Sequence, residues 1–156
     1  VAKAFGEWTG DEVRRTPGSG GWNRKGGFDV AGDLVFTEVN TIHIECKCAE
    51  GWKLEHLLSF KGMEFLPAWW DQCIRECPEG KTPLLVFSKN FAPTFVVYRY
   101  GVLVGDDPEN IGLRPGSKSA GARFEAVKTA FGESVIIQEL EVFFARFELK
   151  RRKQEG

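Results

Sequence analysis

Two segments in the first third of the chain alternate apolar and polar side chains with the two-residue period of a β-strand. Within residues 28–37, Leu34 falls on the apolar face and Asp33 on the opposite face. Residues 41–48 place isoleucines and cysteines on one face, and the opposite face carries His43, Glu45 and Lys47. A tight turn around Asn40 is expected to join the two segments as a hairpin. The pattern therefore predicts neighbouring strands that share a charged face.

The remaining segments predict helices mixed with strands. Helical spacing of apolar residues predicts a first helix that ends near Gly10 and further helices over 52–60, 64–77, 122–131 and 140–153. Extended runs predict strands over 12–16, 83–88, 95–100 and 135–138. The glycine-dense residues 17–27 and residues 105–119 are predicted loops. We therefore expect an α/β fold with a central mixed β-sheet flanked by helices.

Length and composition limit the number of domains and the location. With 156 residues, 42% of them hydrophobic, the chain is expected to form one domain over 1–156, with a core over about 3–100 and a helical and strand extension over 120–156. The 21 Lys and Arg against 22 Asp and Glu give a net charge of −1, so whole-chain charge does not indicate a nucleic-acid partner. No apolar run approaches about 18 residues and no secretory signal is present, so we expect a soluble, intracellular protein.

Four cysteines, an even number, suit either two disulfides or one zinc site: Cys46, Cys48, Cys73 and Cys77. Without export, reduced thiols are favoured. Strand alternation places Cys46 and Cys48 on the apolar face, and Cys73 falls on the helix that carries Trp69. This placement favours buried, small hydrophobic side chains, with zinc as the alternative.

The charged face carries the side chains that could bind a metal ion and cleave a phosphodiester. Glu45 and Lys47 lie roughly 6.6 Å apart along one strand, on the same side. A hard divalent cation held by Asp33, Glu45 and the main-chain carbonyl of Cys46 would offset the charge of the two acids. Such a cation activates water for attack on a phosphodiester, and the ammonium of Lys47 would offset negative charge in the transition state. The alternative is a cross-strand ion pair at the surface, which contributes little stability.

The spacing of these residues resembles a known nuclease superfamily. Asp33, in Gly32-Asp33-Leu34, is followed twelve residues later by Glu45-Cys46-Lys47, and this arrangement resembles the PD-(D/E)XK nucleases. The preceding residues 15–21, Arg-Thr-Pro-Gly-Ser-Gly-Gly, make the chain similar to archaeal-type Holliday junction resolvases and their phage-encoded relatives. The resemblance covers about residues 3–90. Gly32 stands where the superfamily has its proline, and this departure removes no metal ligand.

The resemblance implies a restriction-endonuclease-like core and a site that binds Mg²⁺, with Mn²⁺ able to substitute. It implies catalytic roles for five residues: Asp33, Glu45, Lys47, Glu7 and Ser19. The metal ligands would be Asp33, Glu45, the Cys46 carbonyl and a glutamate of the first helix. For that glutamate Glu7 is preferred, and Glu12 or a residue before Val1 are the alternatives. His43 is either a supporting group or general base of this site or an ordinary strand histidine, and Gln72 is a secondary candidate.

The same resemblance implies DNA as the partner. Between Val13 and Phe28 the chain has four positive residues and no acid, which favours phosphate contacts. The implied DNA-binding residues are Arg14, Arg15, Ser19, Arg24 and Lys25. Symmetric nicking of a four-way junction, a DNA recombination intermediate, implies a homodimer, for which Phe143, Phe144, Phe147 or the 95–100 strand are candidate contacts. The host cytoplasm is the implied location for a phage-encoded enzyme. A nuclease for another DNA substrate, or a non-catalytic DNA-binding module of this fold, remains the alternative.

Overall fold

The computed structural model describes residues 1–15, 34–36, 41–48, 65–89, 92–104, 112–115, 125–128 and 133–149. The helices in this part of the chain are α1 (Ala2–Thr9), α2 (Phe65–Glu76), α3 (Tyr100–Val104) and α4 (Leu140–Arg146). The strands are β1 (Val13–Arg15), β2 (Leu34–Phe36), β3 (Ile42–Cys48), β4 (Thr82–Ser88), β5 (Phe95–Arg99), β6 (Leu113–Pro115), β7 (Glu125–Lys128), β8 (Val135–Glu139) and β9 (Phe147–Leu149). None of the described helices is long and apolar enough to cross a membrane.

A five-stranded mixed sheet with the order β3-β4-β5-β8-β7 forms the centre of the fold. Strand β3 runs parallel to β4, and the other neighbours are antiparallel. Strands β1 and β2 form a separate antiparallel pair, and so do β6 and β9. The predicted α/β class with a central mixed sheet flanked by helices is confirmed.

Each face of the sheet has its own hydrophobic core. The face that carries Ile44 packs against Phe5 of α1, and we call it the α1 face. The opposite face packs against Leu66, Trp70 and Cys73 of α2, and we call it the α2 face. Because successive side chains of β3 point to opposite faces, Ile42 and Ile44 enter the α1-face core. His43, Glu45 and Lys47 therefore point toward α2. Both faces of the sheet are therefore covered, as expected for a sheet with a parallel pair.

Helix α1 is defined by its end and by aromatic packing. Gly10 adopts φ 70°, and its N–H donates to the carbonyl of Gly6, so the helix stops there as predicted. Phe5 is fully buried, and its ring lies 4.9 Å from that of Phe144 in an edge-to-face contact. The indole N–H of Trp8 donates to the Phe147 carbonyl at 3.0 Å. These contacts fix α1 against the C-terminal elements.

Glu133 connects α2 to the sheet. Its Oε1 accepts a hydrogen bond from the indole N–H of Trp70 at 2.8 Å, and its Oε2 accepts one from Nε of Arg99 at 2.9 Å. Trp70 is 1% exposed and belongs to the α2-face core. One carboxylate thus links the helix that covers the α2 face to strand β5.

Three sequence-based element predictions are wrong in the C-terminal third. The predicted helix over 122–131 contains β7, because the ladder with β8 supplies hydrogen bonds that outweigh weak helical spacing. The predicted terminal helix stops at Arg146, and Phe147 turns to an extended φ of −119° to enter β9. The predicted loop over 105–119 contains β6, which pairs with β9. Residues 150–153 lie outside the described part of the chain.

Two tertiary predictions also need correction. In the described ladders β2 pairs with β1, and β3 pairs with β4, so the predicted hairpin of β2 and β3 is wrong in its pairing. Both strands nevertheless contribute to the α1-face core. The proposed dimer contacts are wrong for Phe143, Phe147 and Phe95, which are at most 2% exposed because they fill the cores of their own chain. Phe144 is partly buried against Phe5.

Candidate active site

The polar residues of β3 become more accessible toward the end of the strand. The side chains of His43 and Glu45 are 1% and 5% exposed, Lys47 is half-buried, and Cys48 is exposed. Parallel pairing with β4 places Glu45 beside Leu85 and Lys47 beside Phe87. Glu45 and Lys47 therefore share the α2 face, as the alternation predicted, and the row of side chains opens to solvent at the C-terminal end of β3.

Glu45 lies against α2 through Cys73. Burial raises the pKa of the Cys73 thiol well above its usual value, and the nearby Glu45 charge raises it further. A hydrogen bond with the Glu45 main chain acts in the opposite direction but does not reverse the shift. The thiol therefore stays protonated next to the carboxylate. The pattern of β3 alone does not connect these two residues, and the signal in the sequence that could is the helical stripe of Leu66, Trp70 and Cys73.

His43 is the second buried titratable residue of the row. Its Nε2 lies 3.3 Å from Oε1 of Glu45, within ion-pair distance. The angles at this contact do not meet hydrogen-bond criteria, and neither imidazole nitrogen has a hydrogen-bond partner among the described residues. The histidine is thus placed beside the carboxylate without a formed hydrogen bond.

Several predicted site residues lie outside the described part of the chain: Asp33, Ser19, Arg24 and Lys25. The residue that follows Asp33 in sequence, Leu34, is 6% exposed and belongs to the α1-face core with Ile44. Leu34 also pairs with Arg15 of β1. The roles of the four undescribed residues stay predictions.

Glu7 and Glu12, the two first-helix candidates, occupy different settings. Glu7 is exposed on α1 and lines a cavity of about 730 Å³ together with Glu139 and Glu141. Helix α1 packs on the α1 face, whereas Glu45 points to the α2 face. Glu12 accepts two hydrogen bonds from the guanidinium of Arg14, the shorter at 2.8 Å. The described geometry does not bring either glutamate together with Glu45.

Strand β1 presents basic side chains to solvent. Arg14 and Arg15 are both exposed, and the side chain of Arg14 remains 76% accessible while paired with Glu12. An exposed guanidinium in a surface ion pair exchanges partners at little cost, because such pairs contribute about 0–1 kcal/mol. Both arginines are therefore available for phosphate contacts.

Comparison with known proteins decides the superfamily. Residues 1–147 match the family described as "phage putative PDDEXK endonuclease". The chain belongs to this phage endonuclease family. No curated protein and no solved structure matches it. The predicted membership of the PD-(D/E)XK superfamily, in a phage-encoded branch, is confirmed, and the resolvase type stays a prediction.

For a PD-(D/E)XK endonuclease, the donor atoms on β3 fit a hard divalent cation. The Glu45 carboxylate and the Cys46 carbonyl are oxygen donors of the kind that Mg²⁺ prefers. Nucleases of this superfamily typically use divalent metals. Within the described ranges no group of three His, Cys, Asp or Glu side chains forms a metal cluster, so Glu45 is the only predicted acidic ligand there that lies on this face.

The cysteines of this endonuclease differ in burial. All four are free thiols. Cys73 is buried and Cys46 is partly buried against the α1-face core, as predicted. The prediction is wrong for Cys48, the last residue of β3, which is exposed. The four thiols therefore differ in how far solvent can reach them.

Proposed function

We propose that the chain is a Mg²⁺-dependent, structure-selective DNA endonuclease that resolves four-way junctions by symmetric nicking, and that Mn²⁺ can substitute. One observation carries the proposal. The chain belongs to a phage endonuclease family, and Glu45 and Lys47 lie on one face of β3. Glu45 is buried, Lys47 is half-buried, and the strand ends at an exposed residue. This gradient supports a reaction centre that substrate reaches from the C-terminal end of β3.

The residues of the chain have separate tasks in this proposal. Asp33, Glu45 and the Cys46 carbonyl would hold the cation, whereas Glu7, on the helix that packs against the opposite face, is not part of this proposed site. When bound, the cation would lower the pKa of a water molecule and offset charge on a phosphoryl oxygen. Lys47, nearer to solvent, offsets the negative charge of the attacked phosphate. The burial of Glu45 excludes water from around its carboxylate, which strengthens its interactions with cations.

DNA binding is assigned to the basic strand and to the glycine-rich segment. Arg14 and Arg15 of β1, together with Arg24 and Lys25, contact backbone phosphates, which explains affinity without sequence recognition. Ser19, in the glycine-rich segment, lies near the scissile phosphate in this proposal. The pairing of Arg15 with Leu34, next to Asp33 in sequence, supports a short path between phosphate contact and catalytic acid.

The proposed four-way-junction substrate implies a homodimer. Two coordinated nicks in a four-way junction require two sites related by two-fold symmetry, so we propose a homodimer in which each chain, residues 1–156, forms one nuclease domain. Light scattering at working concentration tests this part, and a monomer that still makes paired nicks would contradict it.

A cleavage panel tests the substrate. A four-way junction, a flap, linear duplex and single strand are compared at equal concentration, with Mg²⁺, with Mn²⁺ and with a chelator. We expect the junction to be cut much faster than linear duplex, and no cutting with the chelator. Equal rates on junction and duplex would favour a nuclease for other DNA substrates. Junction binding without cutting in either metal would favour a non-catalytic DNA-binding module.

A further inference from the structure

His43 occupies a position that its packing does not explain. Its side chain is 1% exposed, and its strand neighbour on β4 is Pro83, whose ring offers no hydrogen-bond partner. Buried polar groups in proteins almost always have a hydrogen-bond partner, whereas both nitrogens of His43 lack one among the described residues. Burying an imidazole whose nitrogens have no partner among the described residues costs free energy.

The nearest group that could use the imidazole is the Glu45 carboxylate. His43 and Glu45 are two residues apart on one strand, so their side chains share a face, and the parallel ladder with β4 fixes both main chains. Nε2 of His43 lies 3.3 Å from Oε1 of Glu45, and both side chains are at least 95% buried. With little water to compete, an imidazole N–H at this distance restricts how the carboxylate can turn.

We propose that His43 is a positioning residue that holds the Glu45 carboxylate in the orientation in which it ligates the divalent cation. The inference rests on the proposed metal-dependent function and adds to it a residue that does not itself touch metal or DNA. When the cation is bound, a small rotation of the imidazole would let its N–H donate to the carboxylate, and groups that hydrogen-bond a metal-ligating side chain typically change metal affinity by about 10–100-fold when they are removed.

Mn²⁺ binding, measured by electron paramagnetic resonance on the full chain, tests the proposal without relying on cleavage. We expect His43→Leu, which removes both nitrogens, to weaken Mn²⁺ binding about 10–100-fold. His43→Gln, which keeps an N–H donor, should recover most of that loss. His56→Gln is the matched control, because His56 is the other of the two histidines in the chain. Unchanged Mn²⁺ affinity in a folded His43→Leu variant would overturn the proposal.

Two further measurements distinguish a positioning role of His43 from a role in folding and from direct metal binding. Thermal unfolding of each variant shows whether it is folded, and His43→Val replaces His43→Leu if the latter is not. In parent protein with ¹⁵N-labelled histidine, pulsed electron paramagnetic resonance should show a weak coupling from a remote nitrogen. A strong coupling from a directly bound imidazole, or no nitrogen coupling, would overturn the positioning role even if both apolar variants fail to fold.

The outcome also separates this inference from the proposed function. A parent protein that neither binds Mn²⁺ nor cuts DNA would reject the nuclease proposal and, with it, the role of His43. A parent protein that binds Mn²⁺ and cuts DNA, together with unchanged affinity in His43→Leu, would reject only the positioning role.

Discussion

Strands β3 and β4 lie side by side in the sheet, and they present different residues to the same helix. Toward α2, β4 presents Leu85 and Phe87, both fully buried. At the matching positions β3 presents Glu45 and Lys47. The opposite faces of the two strands are alike, since both send aliphatic side chains into the α1-face core. The two strands therefore differ only in the layer between the sheet and α2.

This comparison separates residues that stabilise the fold from residues that would serve the reaction in the proposed function. Burying a leucine or phenylalanine contributes about 1.5–3 kcal/mol. Burying a carboxylate opposes folding unless partners compensate for its lost hydration. Strand β3 is held by its ladder with β4 and by Ile42 and Ile44, at most 2% exposed. Those contacts allow its other face to carry charge.

The largest expected effect is on cleavage, from Glu45→Gln. The variant keeps the shape of the side chain and removes the charge that would hold the cation in the proposed function, so the single-turnover rate on a four-way junction should fall on the order of 10³-fold. The melting temperature should stay unchanged or rise, because a buried charge is removed. Junction affinity without metal is the control and should be retained. A variant that cuts normally would place the reaction centre elsewhere.

Leu85, the register partner of Glu45 on β4, should give the reverse result: a loss of stability with little loss of cleavage. Leu85→Ala removes a fully buried side chain from the α2-face core and should lower the free energy of unfolding by about 2–5 kcal/mol. Denaturant unfolding measures this loss. At a temperature where the variant is folded, its cleavage rate should stay near the parent value. A large loss of cleavage in folded protein would show that Leu85 also supports the reaction, and the separation between the strands would fail.

The sequence analysis predicted β3 well but not the burial of its polar face. Alternation identifies which side chains share a face, and Glu45 with Lys47 were assigned correctly. We expected a charged rim, whereas α2 covers Glu45, and this cover comes from a helix whose docking depends on distant residues such as Glu133. Alternation carries no information on which distant element packs against a face.

The wrong element predictions have a related cause. Strands β7 and β9 are short, and their state is decided by the ladders with β8 and β6 more than by their own residues. The helix α2 and the strands β4, β5 and β8 were predicted correctly because each has a long, strongly apolar pattern. For the site, the sequence supplies Asp33, Ser19, Arg24 and Lys25 as predictions, since they lie outside the described part of the chain.

A smaller effect is expected at the N-terminal end of β3 and β4. The N–H of Thr82 donates to the Thr41 carbonyl at 2.8 Å, and the Gly112 N–H donates to the Thr82 hydroxyl at 3.2 Å. A Cβ at Gly112 would lie 2.4 Å from that Thr41 oxygen, so Gly112→Ala should destabilise the fold by about 1–3 kcal/mol. Denaturant unfolding measures this change.

Gly6→Ala is the matched control for that variant. A Cβ at Gly6 has its nearest neighbour at 3.4 Å, and the site lies inside α1, so the substitution should stabilise the fold by about 0.5–1 kcal/mol. Equal effects of the two substitutions would contradict the close approach at Gly112.

The smallest effect concerns the reactivity of the thiols, because Cys73 is buried in the α2-face core beside Glu45 and Cys48 is exposed at the end of β3. Burial raises the pKa of Cys77 from 9.0 to about 11, and its Sγ–H donates to the Lys81 carbonyl at 3.3 Å. At pH 8 this rise lowers the thiolate fraction about 100-fold relative to an ordinary thiol. Exposed Cys48, at the open end of β3, should therefore be alkylated first, and buried Cys73 last.

The same shift predicts a weak alkaline loss of stability. Because the folded-state pKa of Cys77 is the higher one, its contribution is fully present below about pH 9 and declines as pH rises toward about 11. Mass spectrometry after timed alkylation ranks the thiols, and Cys77→Ser should flatten the stability profile between those pH values. If Cys73 reacted as fast as exposed Cys48, the layer between β3 and α2 would be open to solvent at Cys73, and the burial of the neighbouring Glu45 could not hold in solution.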